Sequence, residues 1–181
     1  MQDFQKLKSG VLRELEEVIG KIDESGITEL VDMILASQKT FVMGAGRSML
    51  VCKAFAKRLS HLKVCAHVVG ETVTPPIGRG DLLIACSSSG ETMSTVGISK
   101  LARQYGGKTA SITCDAGSTL CGISDVSILV PRPAEPSGSV LPMASLFEQA
   151  LFIILDCVAI LIKECTGITE EEMRIQHANL E

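Results

Sequence analysis

The sequence predicts an α/β fold built on a parallel sheet that is buried on both faces. Three observations carry this prediction. Short apolar runs alternate with stretches of helical periodicity along most of the chain. Most of those runs are continuously apolar rather than alternating, as strands covered on both faces are. Two of them run into small-residue turns that open helices, at residues 44–48 and 87–92. In open α/β sheets that connection faces phosphate.

The elements follow in order. Phe4, Leu7, Val11, Leu12, Leu15, Val18, Ile19 and Ile22 recur at helical spacing and predict an amphipathic helix over 4–22. Gly26 breaks the pattern, and a second helix is expected over 27–36. The two leading helices read as packing or oligomer elements. A DNA-binding helix pair is disfavoured because lysine and arginine are not concentrated there. Residues 40–43 form a first strand, followed by Gly44-Ala45-Gly46-Arg47-Ser48 and a helix to about residue 60. This turn is not the dinucleotide fingerprint, because Met49 stands where a third glycine is needed. Further strands are expected over 64–69, 82–86, 109–113 and 126–130. Between them lie a helix over 92–105, ended by Gly106 and Gly107, and a short turn capped by Ser118. Residues 131–142 form a proline-rich loop, the one stretch expected to move over a site. A long apolar helix over 143–164 and a short acidic helix over 170–175 close the chain.

With 181 residues the chain fits one domain, residues 1–37 being the leading helices and 38–181 the core and tail. Hydrophobic residues are 46% and aromatics only 3%, so the core is aliphatic. A net charge of -4 argues against a general nucleic-acid or membrane-surface binder. No secretion signal is visible at the N-terminus, and the apolar run 150–162 is too short to span a bilayer. Seven cysteines without a CxxC pair read as buried, reduced thiols of a cytoplasmic protein.

The chemistry-bearing candidates cluster in a few places. Ser87, Ser88, Ser89, Gly90, Glu91 and Thr92 end a strand at a helix start, where free N–H groups and hydroxyls suit an anion. The alternative is that Ser89 or Thr92 only caps the helix. Arg47 and Ser48 stand at the other turn, and a guanidinium suits phosphate geometry. Glu148 sits among Leu146, Phe147, Ala150 and Leu151, where a carboxylate is costly unless paired or functional. It is either a general base or a glutamate favoured near a helix N-terminus. His61, His67 and His177 match no zinc spacing, so no metal is expected.

Taken together, Gly44-Ala45-Gly46-Arg47-Ser48, Gly70-Glu71-Thr72, Ser87-Ser88-Ser89-Gly90-Glu91-Thr92, Leu146-Phe147-Glu148-Gln149 and His177-Ala178-Asn179-Leu180-Glu181 resemble the sugar isomerase (SIS) domain family, and within it the 6-phospho-3-hexuloisomerase branch. The chain departs from that pattern at Ser88, Met49, Ala144 and Gln176. The resemblance implies a three-layer, flavodoxin-like sandwich with a five-stranded parallel sheet after two helices. It implies interconversion of D-arabino-hex-3-ulose 6-phosphate and D-fructose 6-phosphate without a cofactor, in a homotetramer with sites shared between subunits. A functional link to a hexulose-6-phosphate synthase follows from the same likeness. Glu148 is then the base, His61 an acid–base helper, and Arg47, Ser48, the 87–92 loop and His177 substrate contacts. The alternatives are an arabinose 5-phosphate type isomerase and a non-catalytic sugar-phosphate sensor.

Overall fold

The computed structural model describes residues 3–132, 139–143 and 145–179. Parts of the expected mobile loop (133–138), Ala144, and the terminal Leu180 and Glu181 lie outside the described residues. Two helices, α1 (Phe4–Ile19) and α2 (Glu24–Ala36), lead into β1 (Thr40–Gly44) and α3 (Arg47–His61). Then come β2 (Ala66–Val68), β3 (Leu82–Cys86), α4 (Met93–Gln104), β4 (Lys108–Thr113), α5 (Thr119–Ile123) and β5 (Val126–Leu129). The chain ends in α6 (Ser145–Thr166) and α7 (Glu170–Ile175).

The five strands pair in parallel in the order β2-β1-β3-β4-β5, the flavodoxin-like arrangement. Alternate residues of one strand feed two separate cores, as the period of two requires. Val42, Leu82, Ile84 and Ile112 pack with Leu30, Phe55, Leu151 and Leu155 on the face covered by α2, α3 and α6. Phe41, Leu83 and Ala85 face the other way, towards α4 and α5. The sheet is thus buried between two helical layers, which is why its runs are apolar throughout.

Several boundaries differ from the expectation. The break between the leading helices is at Gly20, and Gly26 lies inside α2. Asp23 explains this: its carboxylate accepts from Ser25 N at 3.0 Å and starts the helix before the glycine. α6 begins at Ser145, after a turn in which Met143 has φ 55°. At 22 residues, α6 is long and apolar enough to cross a membrane, unlike the run 150–162 alone. It serves here as the core helix, with Leu146, Phe147, Ala150, Leu151, Ile154 and Leu155 buried. Of the cysteines, only Cys52 and Cys86 are buried; Cys65, Cys157 and Cys165 are exposed, so the expectation of buried thiols holds for a minority.

Candidate active site

The two turns singled out in the sequence meet because their strands are neighbours. Gly44 at the end of β1 pairs in register with Cys86 at the end of β3. Each strand therefore delivers its loop to the same edge of the sheet. A Cβ on Gly44 would lie 2.9 Å from the backbone of Ser48 and Met49, so only glycine permits the tight return into α3. Gly46 follows with φ 56°, and Ser48 is buried in the first turn.

The serine loop is closed by its own hydroxyls. Ser87 Oγ lies 2.9 Å from Thr92 Oγ1, and Ser87 Oγ accepts from Gly90 N at 3.1 Å. Ser89 Oγ accepts from Glu91 N at 3.2 Å. Thr92 occupies the N-cap position of α4 but makes no capping bond, because its hydroxyl is turned to Ser87. The capping alternative fails for that residue. The first N–H groups of α4 are therefore not taken by its cap residue, as an anion site requires. Gly90 has φ 65°, and a Cβ there would come within 2.1 Å of Ser118 Oγ. Glu91 faces away from the loop's centre: its carboxylate accepts from Thr119 N at the start of α5. This places Glu91 in a bracing role between two turns.

Glu148 enters from the first turn of α6. Arg47 Nε meets its Oε1 at 2.9 Å, and the side chain of Glu148 is only 18% exposed. The carboxylate among apolar neighbours is thus paired rather than isolated. Arg47 also donates from Nη2 to the carbonyl of Met143, which ties α3 to the segment entering α6. A cavity of about 350 Å³ opens between the serine loop, the end of β5 and the start of α6, and neither Arg47 nor Glu148 is among its described wall residues. Its wall includes Ser88, Cys114, Arg132, Ser139, Leu141 and Phe147. Ser88 Oγ donates to Cys114 Sγ at 3.6 Å. Burial pushes the Cys114 thiol up, opposed by the Ser88 hydroxyl and the Arg132 guanidinium.

His61 and His177 are elsewhere. Their rings stack on one another with centroids 5.3 Å apart. His61 is the last residue of α3 and Arg47 the first, which separates them by about 20 Å along the helix axis. Within one chain His61 therefore lies far from the Arg47–Glu148 pair. His177 Nδ1 lies 3.0 Å from the carbonyl oxygen of Ala178.

The SIS domain profile matches residues 33–154. The chain belongs to the SIS domain family. A 3-hexulose-6-phosphate isomerase of Bacillus subtilis is 39% identical over 176 residues, which cover 94% of this chain and 95% of that protein. A protein of the same name from Mycobacterium gastri is 36% identical, covering 99% of this chain and 92% of its own. A crystal structure from Methanococcus jannaschii, for which a 3-hexulose-6-phosphate isomerase function was inferred, superposes with a TM-score of 0.82 at 32% identity. That match covers 97% of each chain.

Within this SIS domain, sequence reasoning overlooked Arg132. It follows β5, and among the described residues that line the cavity it is the one that carries a charge. Its position after a strand end was a signal, but the prolines around it suggested only a loop. Among the described residues no group of three His, Cys, Asp or Glu is placed to hold a metal ion.

Proposed function

We propose that the chain interconverts D-arabino-hex-3-ulose 6-phosphate and D-fructose 6-phosphate. The observation that carries this reading is the Arg47–Glu148 pair set at the same sheet edge as the serine loop. Relatives named 3-hexulose-6-phosphate isomerase along nearly the whole chain support the substrate.

The chemistry moves a carbonyl from C3 to C2. Glu148 takes the proton from C2, and the electron pair flows into an enediolate whose charge rests on the C3 oxygen. That oxygen gains a proton, the C2 hydroxyl loses one, and Glu148 returns its proton to C3. A carboxylate base next to a fixed cation serves both demands. Arg47 holds Glu148 in place before the reaction and faces the developing oxyanion during it. Ser48, Ser87, Ser89 and Thr92 bind phosphate and sugar oxygens with the start of α4 behind them, and Ser88 and Gly90 shape the loop. Arg132 supplies the positive charge for the dianionic phosphate.

The working unit in this proposal is a cytoplasmic homotetramer. Phe152, Ile153, Ile160 and Leu161 form an exposed apolar stripe on α6 that a second copy would cover. His61 and His177 then act in a neighbouring subunit's site, since their own Glu148 is out of reach. A hexulose-6-phosphate synthase supplies or consumes the hexulose phosphate. The test is a coupled assay: ribulose 5-phosphate, formaldehyde and a hexulose-phosphate synthase feed the protein, and fructose 6-phosphate is followed through glucose 6-phosphate. Turnover supports the reading. Sugar phosphate bound without turnover would replace it with the sensor alternative.

A further inference from the structure

α1 reaches the site by a route that its sequence did not announce. One face of this helix is apolar, and Leu15 and Val18 are buried in the core shared with α6. Glu14, beside Leu15, does something different. Its Oε2 accepts from Ser139 Oγ at 2.5 Å, and its Oε1 accepts from Val140 N at 2.7 Å. These partners are 125 and 126 residues away in the chain. The Ser139 hydroxyl also accepts from Leu141 N at 2.9 Å. Among the described residues no lysine or arginine makes an ion pair with Glu14, so its charge is met by neutral donors of this one segment.

The segment 139–143 is the last stretch of chain before α6. Ser139 and Leu141 form part of the cavity wall beside Ser88 and Arg132. At its other end, Arg47 holds the carbonyl of Met143, and the Pro142 carbonyl accepts from Ser145 N at 3.1 Å. Three residues later comes Glu148. The stretch is therefore a strap fixed at two points. Arg47 fixes the end next to the base, and Glu14 fixes the end next to the cavity. Leu141 packs against the core and Val140 lies against Gly10 of α1, and the hydrogen bonds of Glu14 add the polar hold that fixes this end of the strap.

We propose that Glu14 is a positioning residue for this site: from α1 it sets the strap 139–143 that walls the substrate cavity and leads into Glu148. This rests on the isomerase reading given above. Glu14 touches no reacting atom in this scheme. It acts through Ser139 and Val140, so its loss loosens substrate binding more than it slows chemistry.

The test compares Glu14→Ala, Glu14→Gln and a control, Glu17→Ala, in the full-length protein. Glu17 is one turn further along α1 and pairs with Lys21 on the surface. Glu14→Ala should raise KM for the hexulose phosphate about tenfold, with kcat within about threefold of wild type. Glu14→Gln, which keeps an acceptor for Val140 N–H, should return KM to within about threefold. Amide exchange at Val140 and Leu141 should quicken in Glu14→Ala alone. Glu17→Ala should match wild type throughout. Unchanged exchange at Val140 in Glu14→Ala overturns the proposal, as does an equal loss in the alanine and glutamine variants. A wild-type protein that binds but does not turn over the sugar phosphate would sink the isomerase reading instead. The Kd of that sugar phosphate then takes the place of KM in the same comparison, and the same two results still overturn the role of Glu14.

Discussion

At one end of the α3–α6 pair, Arg47 and Glu148 meet next to the glycine turn and the buried Ser48, and Leu146 and Phe147 of the same helix start wall a cavity. Towards the other end, one surface ion pair joins the same two helices and two more tie in α7. Arg58 pairs with Asp156, Lys63 with Glu172 and Lys163 with Glu170, and α7 is latched on by a capping box at Thr169. The first end uses small residues to leave room for a ligand. The second fills its surface with ion pairs of small individual worth. It also holds the two stacked histidines. In the proposed reading, two parallel helices carry the base at their starts and the acid–base helper at an end. That reading requires a second chain to turn its opposite end towards the first.

The largest break in this comparison is Glu148→Gln. It should lower kcat by roughly 10³-fold while thermal melting stays close to wild type. Turnover near the normal rate would remove Glu148 as the base. Next come His61→Ala and His177→Ala, each expected to cost about 10²-fold in kcat. Glu148→Gln subunits mixed with His61→Ala subunits should regain part of the activity, since some interfaces then hold both wild-type groups. Mixed assemblies as inactive as their parents would show that the two ends do not cooperate.

Arg132→Ala sharpens the role of the cavity. KM for the phosphorylated sugar should rise about tenfold, the equivalent of one charge-assisted contact, and kcat should change little. At the opposite rim of the sheet, Asp81 is 3% exposed, pairs with Lys39 at 3.1 Å and accepts from Gly78 N at 2.8 Å. Asp81→Ala should cost about 1–3 kcal/mol of stability in urea unfolding and leave the KM of the folded protein unaltered.

The smallest effect is that of acid on the latch. Lys63 and the Thr169 groups hold Glu172 down from 4.5 to about 2. A depressed carboxylate favours the folded state above its unfolded value, and that contribution disappears as pH falls through the folded one. The window is therefore pH 4.5 to about 2. Because the Glu172 side chain is 42% exposed and solvent screens its pair with Lys63, Glu172→Gln should shift the melting temperature at pH 7 only slightly, and salt should shrink the shift further. A large loss of melting temperature would mean that α7 anchors the fold rather than decorating it.

Particular elements show where sequence reading succeeds. α7 was legible because its signal is local: Thr169 and Glu172 cap each other across three residues. The helix after the serine loop was legible for the same reason, with Gly106 at φ 87° closing it. Gly26 misled because glycine is tolerated in a first turn once Asp23 has started the helix. Thr92 left two readings open in the sequence, since its hydroxyl had a choice between its own helix and Ser87. Arg132 and Glu14 were illegible because their partners are brought to them by the fold, not by spacing.

The sequence by itself determined the order of strands and helices, the two turns that open helices, and the apolar character that buries the sheet on both faces. Those follow from periodicity and from backbone preferences acting over a few residues. The tertiary structure alone decided which ends of which helices meet. The parallel register of Gly44 with Cys86 put the two turns side by side, and the length of α3 set His61 about 20 Å from Arg47. It also decided that a carboxylate on the first helix would hold the strap before the last long one. Contacts across more than a hundred residues depend on packing, and no local pattern in the chain encodes them.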